Sequence, residues 1–297
     1  MFKSGYCAII GRANVGKSTL MNTLIGEKIS IVSPKPQTTR DRIMGVLTEE
    51  EMQVVFLDTP GIHTPKNELS RYMMKTLDAS VADVDCILAL FDGTRDVSDG
   101  DIRLLERYVN TGVAVIAVVT KVDAVKKEKL FPRLARFNEV SGIESVVPLS
   151  ARKGINLDVL KKEIMAVLPE GDLLYDEDTL TDKSERYIAA ERVREKILLQ
   201  YEEEIPHGIG ISVNLFEYDE VKNLYKLDMD VVCEKQGHKA ILIGKHGEKL
   251  KEVATAARID LEEFFDAKVF LTLWVRVKDR WRDRESLVRQ LGYFTEE

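Results

Sequence analysis

The octapeptide GRANVGKS, residues 11–18, constrains this chain more than any other feature. It follows the apolar run YCAII and leads into STLMNTLIG, which reads as a helix. A glycine-rich loop between a strand and a helix is the setting in which such a motif binds phosphate. Gly11 and Gly16 let the backbone wrap an anion, and the loop N–H groups and the helix N-terminus point at it. Lys17 carries positive charge to the outer phosphates, and Ser18 offers a hydroxyl to magnesium. Asn14, Val15 and Thr19 complete the expected lining. A chance glycine-rich turn would have to match eight positions and both flanks.

The surrounding pattern is strand–helix alternation. YCAII (6–10), VVFLD (54–58), CILALFD (86–92), VAVIAVVT (113–120) and SVVPLS (145–150) are β-branched-rich and almost wholly apolar, as buried parallel strands are. The stretch IMGVLTEEEMQVVFLD has a polar turn between two runs and predicts one antiparallel hairpin. Residues 1–172 therefore predict an α/β P-loop domain with a mostly parallel sheet flanked by helices. Residues 173–182, in a stretch with Pro, Gly and clustered acids, read as a linker, and 183–297 as a small α+β domain with a basic C-terminal extension. There, Ile209, Ile211, Val213 and Leu215 alternate on one strand face. Tyr225, Leu227, Met229 and Val231 do the same on a second strand, and Val269 to Val277 on a third. Leu250, Val253, Ala257, Leu261 and Phe265 keep helical spacing.

A P-loop alone fits ATPases and nucleotide kinases equally well; the later motifs decide. Asp58-Thr59-Pro60-Gly61 closes a strand, where a carboxylate reaches magnesium through water and the Gly61 N–H meets a γ-phosphate. Thr120-Lys121-Val122-Asp123 closes another. The Asp123 carboxylate accepts from guanine N1–H and its exocyclic amine, a pairing adenine cannot make. Ser150-Ala151, followed by Arg152, closes the last strand, where a backbone N–H reaches the guanine O6. All three lie at strand C-terminal ends, where doubly wound sheets bind ligands.

The set resembles the translation-factor-related GTPases, specifically the Era family of ribosome-assembly GTPases, over nearly the whole chain. That resemblance implies a first switch in SPKPQTTRDRIMGV, with Thr39 on magnesium and Thr38 as its alternative, and a catalytic set of Lys17, Thr39 and Gly61. Related GTPases with an Asn at this position use it to help hold a potassium ion, so Asn14 is either a potassium ligand or a merely permissive loop residue. One departure stands out: the family's base motif begins with Asn, which also ties that loop to the P-loop, and here Thr120 stands in its place. Weaker nucleotide binding is the expectation. Ile62 follows Gly61 where Ras-like enzymes place a water-orienting Gln, so slow hydrolysis is expected. His63 is the next polar side chain.

Gly244-Lys245-His246-Gly247 joins two helical segments in the order helix–strand–strand–helix–GXXG–helix–strand, which resembles a type II KH fold. Without Cβ atoms the loop can press against a single-stranded sugar–phosphate chain. Lys239, Lys245 and Lys249 add local positive charge, and Ile241 and Ile243 would floor a base groove. Arg280, Trp281 and Arg282 suit stacking on unpaired bases; Trp281 packed in the core is the competing reading. A local patch is what the composition requires of an RNA binder, because the net charge is −7.

The expected partners are GTP and GDP, single-stranded ribosomal RNA from the 3′ end of the small-subunit (16S) species, and the small subunit itself, bound by a monomer. The alternative class is a regulatory GTPase whose KH-like domain binds protein or membrane. The N-terminus has too short an apolar stretch for a signal peptide, and Cys7, Cys86 and Cys233 sit singly in apolar runs as buried thiols do. A cytoplasmic address follows, with peripheral contact at the inner face of the membrane left open.

Overall fold

The structure, a computed structural model, describes residues 1–294. Its first six strands are β1 (Lys3–Gly11), β2 (Ile43–Glu49), β3 (Met52–Asp58), β4 (Cys86–Asp92), β5 (Ala114–Thr120) and β6 (Ser145–Pro148). They form one sheet in the order β2-β3-β1-β4-β5-β6. Only the β2–β3 hairpin is antiparallel, as the polar turn predicts. The accompanying helices are α1 (Lys17–Ile25), α2 (Glu68–Ser80), α3 (Asp99–Val109), α4 (Lys127–Asn138) and α5 (Leu157–Val167). Continuous apolar runs become central strands because both sheet faces are covered: Cys7, Ala8, Ile9 and Ile10 are all fully buried. The three cysteines are free and buried.

Among the described residues of the C-terminal part are α6 (Glu185–Gln200), β7 (Gly210–Asp219), β8 (Leu224–Cys233), α7 (Gln236–Ile243), α8 (Glu248–Phe265), β9 (Lys268–Val277) and α9 (Glu285–Gln290). Strands β7 and β8 pair antiparallel, and β8 and β9 parallel. One face of this sheet packs on α6, α7 and α8 through Ala189, Val193, Ile197, Leu227, Met229, Val231, Leu242, Val253, Ala257 and Leu261. The predicted alternation holds on β8 and β9 but fails on β7. A register shift between Val213 and Leu215 turns Leu215 outward, and Phe216 packs on the core in its place. One extra residue in a strand exchanges its faces from that point on.

The compact units differ from a simple cut of the chain. The first comprises residues 1–30, 39–63 and 73–182. The second comprises 31–38, 64–72 and the residues from Lys183 on. Residues 173–182 are therefore no loose linker. The buried Gln53 side chain accepts from Leu174 N–H (2.7 Å) and Tyr175 N–H (2.9 Å) and donates to the Tyr175 carbonyl (2.8 Å). Val46 N–H donates to Leu180 O at 2.9 Å, and Thr181 Oγ1 to Met44 O at 2.6 Å. Strand β2 is a sheet edge whose unpaired backbone groups need partners, and this segment supplies them.

Candidate nucleotide site and RNA-binding loop

Strand β1 ends at Gly11 and α1 begins at Lys17, so residues 12–16 arch over the sheet's C-terminal edge. Lys17 folds back into this arch, its Nζ donating to the carbonyls of Gly11 (3.2 Å) and Arg12 (3.1 Å). Burial lowers its pKa to about 8, with the Asp58 charge opposing that shift. The next residue, Ser18, donates to Asp58 Oδ2 at 2.6 Å. Thr39 Oγ1 lies 2.9 Å from Ser18 Oγ and 3.3 Å from the same carboxylate oxygen. Ser30 Oγ donates to that oxygen as well, at 2.8 Å.

Three hydroxyls thus converge on one oxygen of a fully buried carboxylate, while Asp58 Oδ1 is buried with no hydrogen-bond partner. Burial raises the Asp58 pKa; Lys17 and the hydroxyls pull the other way. Ser30 carries no sequence motif, and only the fold brings it here. The choice between the two threonines is also geometric. Thr38 Oγ1 turns into its own loop, donating to Lys35 O at 2.7 Å, and only Thr39 joins the cluster.

The segment after β3 runs beside the arch. Ile62 N–H donates to Gly11 O at 3.1 Å, and Thr59 Oγ1 to Ile9 O at 2.8 Å. A Cβ on Gly61 would stand 3.0 Å from both Ala13 N and Ala13 Cα, so a side chain here would push the two backbones a few tenths of an ångström apart. The Ile62 side chain packs against the apolar cluster around Ile10 and Phe91. His63 is not a solvated ring: it is half-buried, with Nδ1 2.7 Å from Gly61 O.

At the base end, Thr120 Oγ1 donates to Val15 O at 2.7 Å and lies 3.1 Å from Phe91 O. Lys121 Nζ bridges Asn14 O and Asp92 Oδ2, each at 2.7 Å. Asp123 is exposed in the turn that follows. The Ser150 N–H is spent on Ile155 O at 3.2 Å, and Ser150 Oγ accepts from Lys153 N–H at 3.3 Å. The Ser150 N–H is thereby taken by the fold.

In the second unit, Gly244 and Gly247 have φ of 74° and 81°. A Cβ at Gly244 would meet Lys249 Cγ at 2.8 Å. Lys245, His246 and Lys249 are exposed around the loop, and Lys239 is half-buried. Ile241 is 47% exposed, whereas Ile243 packs on the domain core, so only the former can offer a free apolar face. Tyr201 pins α7 from α6 by donating to Leu242 O at 2.7 Å.

The tail departs from the stacking expectation. Trp281 is fully buried, donates Nε1–H to Gly208 O at 2.9 Å and stacks on Tyr293. Its ring has no face left for a base. Arg282 pairs with Glu234 and donates to His207 O. Its charge is already matched inside the fold. Arg280 is exposed. No motif singles out Phe270 and Trp274, which lie on the outward face of β9 and are 64% and 50% exposed.

Two family models match this chain: the 50S ribosome-binding GTPase over residues 6–121 and the KH domain over residues 204–282. The chain is 45% identical to the GTPase Era of Clostridium botulinum over 293 residues, covering 99% of each protein. It is 45% identical to that of Caldanaerobacter subterraneus over 292 residues, covering 98% of each. Among solved structures, it superposes on Era in complex with MgGDPNP and nucleotides 1506–1542 of 16S ribosomal RNA with a TM-score of 0.95 at 38% identity, covering 99% of each chain. It superposes on an Aquifex aeolicus Era variant bound to GDP·AlF4− with a TM-score of 0.94 at 38% identity, covering 98% of this chain and 99% of the other.

Proposed function

This chain belongs to the Era family of GTPases, and on that premise we propose that it is a magnesium-dependent GTPase switch. It binds the single-stranded 3′ end of 16S ribosomal RNA during small-subunit assembly, and it acts as a cytoplasmic monomer. The observation that carries the chemistry is the convergence of Ser18, Thr39 and Asp58, with Asp58 Oδ1 buried and unpartnered. Two hydroxyls and a carboxylate are the hard oxygen donors that magnesium takes, so the residues present fit that ion. When bound, magnesium neutralises charge on the outer phosphates. Ser18 and Thr39 would hold it directly and Asp58 through water. With a cation at hand the buried carboxylate is held in its ionised form.

The remaining roles follow from position. Lys17 exchanges two loop carbonyls for phosphate oxygens. The Gly61 N–H meets the γ-phosphate and so orders the segment behind it when GTP replaces GDP. Asp123 reads guanine, with the O6 contact falling to the Ala151 N–H and Arg152 beside it. Ile62 has no hydrogen-bonding group to orient water; Asn14 would help hold a potassium ion, which would supply positive charge where an arginine finger otherwise does. In the second domain the Gly244–Gly247 loop clamps the RNA backbone, with Lys245, His246 and Lys249 facing phosphate.

The GTPase family model is described by the large subunit, but it spans residues 6–121 only. The solved relative that carries small-subunit RNA matches over 99% of the chain and outweighs it. The test is an RNA crosslinking map made with GTP analogue and with GDP. Crosslinks to residues 239–249 that strengthen with the analogue are expected; equal maps would remove the coupling. Gly244→Asp with Gly247→Asp should abolish RNA retention while GTP hydrolysis persists. If RNA retention survives that pair of changes, the KH domain serves protein or membrane instead. Among the described residues no helix is long and apolar enough to cross a membrane.

A further inference from the structure

Loop 31–38 is counted with the second unit, and two neighbouring residues of α6 hold its main chain. Glu195 accepts from Val32 N–H at 2.9 Å, near one end of the loop. Arg194 donates through Nη2 to the Thr38 carbonyl, at the other end. Neither anchor is a casual surface contact. Arg194 is fully buried, and its Nε donates to Glu191 Oε1 at 2.7 Å. Glu195 is 2% exposed and pairs with Lys196 at 3.1 Å, which also pairs with Asp260. Burying a guanidinium is costly even beside a carboxylate. Packing alone would be met by an apolar residue. Nη2 divides its donors between Glu191 Oε2 and the Thr38 carbonyl, an acceptor no side-chain change in the loop can remove, while Nη1 is buried with no hydrogen-bond partner.

The held carbonyl is that of the residue before Thr39. The peptide unit is planar, so orienting the Thr38 C=O also orients the Thr39 N–Cα bond. The Thr38 hydroxyl plays no part in the anchor, since it turns to Lys35 O. Thr39 in turn places its own hydroxyl 2.9 Å from Ser18 Oγ. We infer that Arg194, with Glu195 at the far end of the loop, is a positioning residue for GTP hydrolysis: it acts through the Thr38 carbonyl to preset the Thr39 hydroxyl. The magnesium-bound geometry would otherwise have to be found by ordering a free loop, at an entropic cost. The inference rests on the GTPase reading above and adds to it two α6 residues that hold the loop leading into Thr39.

The test uses full-length protein and single-turnover GTP hydrolysis in magnesium, together with affinities for GDP and a GTP analogue. Arg194→Gln is expected to slow hydrolysis about tenfold, the loss of one charge-assisted hydrogen bond, and to leave GDP affinity within about twofold of the parent. In a Thr39→Ala background the same change should cost less than about twofold, because there is no hydroxyl left to position. Glu195→Ala, which leaves Arg194 in place, is expected to slow hydrolysis by about threefold. Glu195→Gln, which keeps an acceptor for Val32, should stay near the parent rate. Unchanged hydrolysis in both Arg194→Gln and Glu195→Ala overturns the inference. So does an equal loss with and without Thr39, or a parallel loss of GDP affinity, since each marks a merely structural role. Should Arg194→Gln fail to fold, the Glu195 pair decides alone. A parent protein that hydrolyses no GTP would instead refute the GTPase reading.

Discussion

Thr120 Oγ1 lies 2.7 Å from the carbonyl of Val15, so a hydroxyl ties the turn at the end of β5 to the P-loop. The sequence shows a Thr where the family has Asn, and weaker binding is the natural expectation from it. In the fold the shorter side chain makes the same connection, because β5 brings Thr120 directly under the arch, 4% exposed. Lys121 adds a second tie through Asn14 O. Thr120→Asn should therefore change GTP and GDP affinity by less than about threefold. Thr120→Val strands the Val15 carbonyl and should weaken both by roughly 10- to 100-fold, equivalent to 1–3 kcal/mol. Titration calorimetry with each nucleotide measures this, and a Val variant that binds like the parent would contradict it.

Replacing Ile62 by Gln should not create a fast enzyme. The Ile62 side chain packs on the cluster that includes Ile10 and Phe91, and its N–H is held by Gly11 O. A Gln there loses apolar contact without reaching a water. The expected result is an unchanged or lower kcat and a stability loss of about 1–2 kcal/mol, read by single-turnover hydrolysis and urea unfolding. A rise in kcat of about tenfold or more would show that the side chain can leave the cluster.

Potassium provides the third test. With Asn14 as the recruiting residue, exchanging potassium for sodium should slow hydrolysis several-fold at constant ionic strength. Asn14→Ala should erase the difference between the two ions. A cation effect that survives the substitution would assign it elsewhere.

Trp281 should behave as a core residue. Trp281→Ala is expected to destabilise the second unit by about 3–5 kcal/mol, from cavity formation and a stranded Gly208 carbonyl. Trp281→Phe should cost about 1–2 kcal/mol and leave RNA affinity unchanged where the protein is folded. Denaturant melts monitored alongside an RNA filter-binding assay separate the two effects. A specific loss of RNA affinity in the stable Phe variant would restore a stacking role.

Gln53 tests the strap on β2. Its fully buried side chain makes three hydrogen bonds to residues 174 and 175. Gln53→Leu should lower stability by about 2–3 kcal/mol and increase protease cleavage between residues 173 and 182. Unchanged cleavage kinetics would mean the strap is held by Leu180 and Thr181 alone.

Much of the site is legible in the amino-acid sequence because its chemistry is local. Gly11 to Ser18 form a glycine-rich loop with a helix that begins at once, so spacing and residue type carry the meaning. Asp58 and Asp123 are readable for the same reason, each sitting where an apolar run ends. Other features are unreadable because they depend on which strands become neighbours. Ser30 has no motif and meets Asp58 only through the fold. Leu215 alternates correctly on paper, but the bulge before it reverses the face. Trp281 lies between arginines in sequence and between Tyr293 and Gly208 in space.

What the sequence by itself determined is the identity of the candidate groups: a glycine-rich loop with a lysine and a serine, carboxylates at two strand ends, and a second glycine loop, Gly244–Gly247. Their meaning survives because hydrogen-bond type and backbone freedom belong to residues. What only the tertiary structure decided is placement. It brought the Thr39 hydroxyl, not that of Thr38, to Ser18 and Asp58, joined Thr120 to Val15, buried Trp281 and paired Arg282 with Glu234. It also set Arg194 against the Thr38 carbonyl. Those outcomes come from long-range pairing and burial, in which a buried polar group takes whichever partner the packed chain brings within reach.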